Sequence, residues 1–559
     1  MRRSLVLVTI FVSLLAFSAN AQESKLGQVE FPTSGSEKAQ AQFLRGLAAL
    51  HSFWYEEALE AFRESTKVDP DFAMGYWGEA MTYNHPLWSE QDIAAARAVL
   101  GKMKETAKLT DRERSYLIAV RLLYGEGDKR ARDAAYSAAM EKIYRAYPQD
   151  LDAAAFYSLS LLGRMTPENK SYRLQAQAGA IALDVYQKNP NHPGAAHYII
   201  HAFDDPDHAI LALPAARRYA SIAPEAHHAR HMPAHIFLQL GMWPEAAASN
   251  ESAWESSDAW MKRKNLSVNV RDYHSLHWLL YVYLQQGRYN DAEKLLTLMK
   301  KVMSESTYGD KLRPGYYQNN YAGMAAAFVI ETERWNLADQ LFPESKAAVA
   351  TSEAPAMSGS HGAHGATPAP PAGNAAATVR SSSVSLTLPF FVRGFAAVSS
   401  GSAAIDQNLA GLKALRTGGV PGSAAVLEIR ELEVSALNAS MNRDHAKAIE
   451  LMKKATALEE AMSPPSGPPH LIKPTHELFG EILLRAGKPA DAAEQFQVAL
   501  LRQPNRARSL LGAARAAAKT GNQPGALTAY AALIEQWKQA DDSLLELREA
   551  RDYLKQAKR

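Results

Sequence analysis

Between Ala39 and Pro70 the chain alternates apolar and polar positions with a helical period, broken once by a turn. Small residues stand at Gly46 and Ala58, an aromatic at Phe62 and a helix-ending proline at Pro70, which are positions 8, 20, 24 and 32 of a unit begun at Ala39. From Lys473 the pattern returns more cleanly, with Gly480, Leu483, Gly487, Ala492, Phe496, Ala499 and Pro504 at positions 8, 11, 15, 20, 24, 27 and 32. The next unit, from Ala507, repeats Ala526 and Tyr530 at positions 20 and 24. Small residues let two helices approach, large ones fill the space between them, and proline ends the second helix. The pattern predicts 34-residue helical hairpins, none of which buries its apolar face alone, so they must stack. The expected fold is all-α: a right-handed α-α superhelix of about twelve hairpins.

The middle of the chain keeps the beat with more variation. Pro190 and Pro224 lie 34 residues apart, and residues 110–190 read as helical pairs broken at Pro148 and Pro190. The segments GMWPEA (241–246), GRYNDA (287–292) and GKPADA (487–492) share a glycine turn followed by an alanine that opens a second helix. An insertion near MKRKNLSVNVRD separates the first two. Residues 351–385 are rich in Ala, Gly, Pro and Ser and read as a flexible linker between an N-terminal array (22–350) and a C-terminal one (386–559). Met357, His361 and His364 within it offer at most a weak copper site.

Composition narrows the chemistry. The 559 residues contain no cysteine, which excludes disulfides, thiolate metal sites and a cysteine nucleophile. Arg2 and Arg3, the apolar run Leu5–Phe17 and Ala19-Asn20-Ala21 form a signal peptide over residues 1–21, with a mature start at Gln22 and a periplasmic or secreted destination. The precursor's net charge of +2 vanishes with those two arginines, so no basic field points to nucleic acid. No later segment is long and apolar enough to span a membrane.

Ten of the seventeen histidines fall between residues 192 and 277. On the repeat ruler His197, His231 and His277 take position 5, His201 and His235 position 9, and His228 and His274 position 2. At about 100° per residue these positions lie on the side of the first helix opposite its packing face, the wall that lines the groove of such an array. Adjacent helices pack about 8–10 Å apart, so imidazoles from two of them can meet. The expectation is that His197, His201, His231 and His235, with His277 as a fifth candidate, converge on one transition metal, Zn or Cu. His228 and His274 then line the same groove. A polar-ligand groove and ordinary repeat-copied packing are the competing readings. Neither H-x-x-x-H pair has the glutamate of a zincin, which weakens a protease reading. The DDPD segment (204–207) offers carboxylates to orient imidazoles, or simply a turn. Farther on, Glu477, Glu481, Arg508 and Arg515 fall on the same wall and suggest a polar peptide-binding patch, set against a plain salt-bridge network.

The segments FWYEEALEAFRESTKVDPDFAMGYWGEAMTYNHPLW, HYIIHAFDDPDHA, HMPAHIFLQLGMW, DYHSLHWLLYVYLQQGRY and WKQADDSLLELREARDYL together resemble large exported bacterial tetratricopeptide-repeat (TPR) proteins with paired H-x-x-x-H segments. The resemblance runs along nearly the whole mature chain and implies an α-superhelix and export. It implies no assigned reaction. The chain is expected to be a binding scaffold that holds a protein, peptide or small ligand in its groove, with a metal-loaded histidine cluster. The alternative is a metal-dependent enzyme built on the same histidines. No catalytic nucleophile is identifiable, and no phosphate loop or nucleophile elbow occurs.

Overall fold

A computed structural model describes residues 25–104, 106–166, 171–305, 316–343, 383–418 and 424–557. The expected signal peptide and the histidines at 361 and 364 lie outside these residues. The described chain is almost wholly α-helical, with one two-residue antiparallel pairing of Asn84–His85 with Glu90–Gln91.

Local chemistry sets the helix ends. Thr110 and Glu113 form a reciprocal capping box at Asp111–Leu123. Pro193 opens Pro193–Ala202, where its missing N–H costs nothing, and His192 caps that helix by accepting the Ala195 N–H at 3.2 Å. The turn glycines Gly241, Gly287 and Gly487 have φ of 64°, 69° and 72°, a conformation a side chain resists. Successive helices pack as hairpins, and the aromatic at position 24 is clamped between glycines on both sides. Phe62 fills the space beside Gly46 and Gly78, and Phe496 the space beside Gly480 and Gly512. The same interlocking at both ends of the chain identifies one TPR-like superhelix.

The array is wound so tightly that its ends close over its middle. The segment read as an insertion is the far end of a long helix, Trp243–Lys264, followed by a short turn. That extra length reaches the first hairpin: Trp260 Nε1 donates to Glu57 at 2.8 Å, and Lys264 pairs with Glu57 and Glu60. From the other end, Trp243 Nε1 donates to the Asn505 carbonyl at 2.8 Å and Trp537 Nε1 to that of Gln285 at 3.0 Å. Pro193–Ala202, His227–Gln239 and Tyr273–Gln285 therefore lie inside the molecule. The predicted division into two arrays does not interrupt the packing, because Tyr316–Thr332 and Ser383–Ser400 pack against each other across it.

This closure corrects the peptide-binding patch. Glu477 is fully buried, between Arg506 Nε at 2.7 Å, Ser509 Oγ at 2.7 Å and Lys473 Nζ at 3.0 Å. Burial raises its pKa, but Arg506 and Lys473 outweigh this and hold it well below the usual carboxylate range. Glu481 pairs with Lys473 at 2.6 Å, Arg508 with Glu333 at 3.0 Å, and Arg515 with Glu549 at 2.6 Å. Arg506, also fully buried, binds Glu331 and the Tyr281 hydroxyl as well, tying the C-terminal hairpins to the central helices. The winding that brings these helices together buries Glu477, while Glu481 and Arg508 stay partly exposed and Arg515 half-exposed, each in an ion pair.

Removing one partner of a buried ionic network strands the others, so Arg506→Ala should cost about 3–5 kcal/mol. Arg515→Ala, at a half-exposed pair, should cost less than about 1 kcal/mol. Urea unfolding of the two variants checks the contrast; equal effects would mean that the Arg506 network does not close the array.

Candidate metal centre

The central helices carry six imidazoles in two groups of three. In each group the candidate ligand atoms lie within 4.8 Å of one another. The first comprises His197, His201 and His228: His197 Nε2 is 3.0 Å from the Nε2 of each of the other two. The second comprises His231, His235 and His274, with 3.1 Å between the Nε2 atoms of His231 and His235. Both obey one rule. Positions 5 and 9 of one hairpin are joined by position 2 of the next, and the rule recurs 34 residues on for the H-x-x-x-H pairs. Pro233 lacks the N–H that would continue the helix begun at His227, so His231 and His235 straddle a break.

The partners of the Nδ1 atoms settle which nitrogen carries the proton. His197 Nδ1 faces the His51 carbonyl at 2.7 Å and His235 Nδ1 faces Asp204 Oδ2 at 2.6 Å. His231 Nδ1 faces Asn250 Oδ1 at 2.7 Å, while the Asn250 amide nitrogen donates to the Ala246 carbonyl and so fixes which way that amide points. All three acceptors lack a hydrogen, so Nδ1 donates outward and the Nε2 atoms face the other imidazoles. His231 and His235 thus meet through their Nε2 atoms. Burial, then the neighbouring His235, lowers the pKa of His231 to about 3. The DDPD segment fills both roles foreseen for it: Asp204 orients His235, and Asp205 caps a turn by accepting the His208 N–H at 3.1 Å.

Aromatic rings wall the cluster. Phe53, at a φ of 52°, packs edge-on against His197 at 4.3 Å and stacks on His228 at 5.7 Å. A left-handed backbone at an aromatic residue is strained, and such strain concentrates at functional sites. Trp278 lies 4.2 Å from His235 and 5.0 Å from His231. Five of the six histidines are buried, His197 and His231 at 0% exposure, and His201 is half-buried.

A third group, His51, Asp152 and His192, has the opposite chemistry. His192 Nδ1 accepts a backbone N–H, so its proton sits on Nε2, 3.4 Å from Asp152 Oδ1. A neutral imidazole protonated there cannot ligate through that nitrogen. His51 Nε2 meets the same oxygen at 2.8 Å. Burial opposes the Asp152 charge, yet the bonds from His192 and His51 prevail and keep it ionised. This group is a buttress: it fixes His51, whose carbonyl orients His197.

The placements differ from expectation in three respects. The two H-x-x-x-H pairs do not share one point; each forms its own group. His228 and His274, expected only to line a groove, complete the groups. His277 joins neither: it bonds Asn320 at 3.2 Å and packs on Gly323. Its unit has Tyr281 at position 9, and that hydroxyl serves Arg506. Asn250, Phe53 and Trp278 went unremarked as partners because they come from separate helices and loops. The pairing of H-x-x-x-H with a following position-2 histidine was the signal available.

No protein-family model matches the chain, and no curated protein matches it. Solved structures similar to it include the TPR domain of P58(IPK), at 14% identity over 73% of this chain and 99% of that chain, with a TM-score of 0.20. Yeast Tom70 is 11% identical over 93% of this chain and 95% of its own, with a TM-score of 0.33. The human IFIT1 dimer with PPP-AAAA is 13% identical over 90% and 93%, with a TM-score of 0.34.

Burial lowers the pKa of His277 below 6.5. The unfolded chain then binds the extra proton, so this contribution is complete above pH 6.5 and is lost as the pH falls toward the folded value. His277→Leu should flatten the stability profile between pH 6.5 and 5 by up to about 1.4 kcal/mol per pH unit. Urea unfolding across that range tests it; an unchanged slope would show that His277 is protonated in the fold.

Proposed function

We propose that the protein is an exported, helical-repeat metal-binding protein, holding transition-metal ions on His197, His201 and His228 and on His231, His235 and His274. The observation that carries this is the approach of the His231 and His235 Nε2 atoms to 3.1 Å, with the two Nδ1 atoms bonded outward to Asn250 and Asp204. A transition-metal ion seated between the two nitrogens would take both as ligands. A tetrahedral ion with bonds of about 2.0–2.1 Å holds its ligands about 3.3 Å apart, close to the spacing here. Three neutral imidazoles favour Zn or Cu over Ca or Mg. Asp204 behind His235 is the carboxylate–histidine arrangement that orients a metal ligand.

Three protein ligands per ion leave a coordination position open, and this favours the second reading, a metal-dependent enzyme, over a closed structural site. A protein or peptide partner draws no support from the histidine wall, which the fold covers; a small ligand reaching the open position fits better. Among the described residues no helix is long and apolar enough to cross a membrane.

Elemental analysis of untagged protein should find close to stoichiometric Zn or Cu, and metal binding should raise the melting temperature, because the ions prefer the folded chain. His231→Ala with His235→Ala should lose about half the metal and much of that shift, whereas His361→Ala with His364→Ala should lose neither. A groove variant with full metal content would end the proposal. For export, N-terminal sequencing of the mature chain should begin at Gln22; retention of Arg2 would refute it.

A further inference from the structure

Resting on that reading, we infer that the two groups are halves of a single two-ion centre, whose ions share one bridging anionic oxygen ligand. Within the groups the ring centroids are 4.7, 4.8 and 6.4 Å apart in the first, and 5.0, 4.7 and 6.4 Å in the second. Between the groups, His201 lies 6.1 Å from His235, and His228 lies 6.3 Å from His231. Both crossings are shorter than the widest spacing inside either group. The two groups therefore adjoin ring against ring at two places. His228 and His231 sit on the same helix, His227–His231, and turn their nitrogens to opposite groups, which couples the two sites mechanically.

Charge supplies the bridging ligand. Six neutral imidazoles contribute no negative charge to two dications. Asp204 bonds His235, and Asp272 acts on His231 from beside His227, so these carboxylates offset only part of the excess. Uncompensated charge is costly in so buried a place. Each ion has an open position, and ions about 3.5–4 Å apart can be spanned by a single oxygen. An anion shared between them completes both coordination shells and removes charge at the same time. Hydroxide derived from bound water and the oxygen of an oxyanion present the same chemistry; in the first case a metal–oxygen bond is retained and the proton leaves to solvent.

The test uses the full mature chain loaded with Cu(II) alone, then titrated with inorganic phosphate. Two ions per chain are expected, with loss of most of the isolated Cu(II) paramagnetic signal through coupling. Phosphate taken up at one per two ions identifies an oxyanion bridge; coupling unaffected by phosphate identifies hydroxide. His274→Ala should leave one ion and restore the isolated signal. Should that variant not fold, the wild-type spectrum still decides. Two ions with full uncoupled signals, or one phosphate per ion, overturn the shared centre while leaving metal binding intact. A single ion per chain overturns the pairing, and a chain that binds no metal overturns the metal reading itself.

Discussion

Six imidazoles face one another inside a helical array, and the structure around them depends on how their outer nitrogens are bonded. A neutral imidazole has one proton to place. The His51 carbonyl, the Asn250 side-chain oxygen and the Asp204 carboxylate each take that proton on the outer nitrogen. Each acceptor is itself held. Asp152 and Tyr198 fix the ring of His51, the Ala246 carbonyl fixes Asn250, and Gln239 reaches Asp204 at 3.3 Å. The polar shell thus extends through three layers before it meets ordinary packing.

Much of this was legible in the chain because a repeat makes position meaningful. Gly46, Phe62, Gly480 and Phe496 announced hairpins, and the hairpins place positions 2, 5 and 9 on one wall. What the ruler could not supply was curvature. A gently curved superhelix leaves that wall open, whereas here the long Trp243–Lys264 helix and the C-terminal hairpins bring distant turns into contact and bury it. Glu477 was misplaced for the same reason. Its position on the ruler is that of the histidines, and like them it ends in the interior, but opposite Arg506 and not a groove.

The grouping of the ligands was missed for a more local reason. The expectation brought positions 5 and 9 of both units to one point. The structure pairs 5 with 9 within one helix and recruits position 2 from the next, because that residue sits one turn lower on the neighbouring helix and points across the gap. The motif is therefore split over two hairpins and can be copied only with the repeat. It stops at His277 because position 9 is Tyr281 there, committed to Arg506. A histidine at position 5 alone becomes a packing residue bonded to Asn320.

Turning a groove into an interior changes the problem of access. The proline- and glycine-rich segment between His445–Glu460 and Thr475–Arg485 lies over the second group. Gly467 abuts the Trp278 ring so closely that no side chain fits, and the Pro465 carbonyl accepts from Gln239 at 2.7 Å. Gln239 also touches Asp204, the residue that orients His235. One amide therefore reads both the position of this covering segment and the orientation of a candidate ligand. Proline stiffens such a segment and glycine lets it approach the tryptophan face, so it can seat firmly without a helix of its own. On the first group's side the covering element is Phe53, strained at positive φ and in contact with His197 and His228. Both groups are thus roofed by short non-helical segments supplied from remote hairpins. Because those segments hold few backbone bonds of their own, they are the parts of the enclosure that open at least cost.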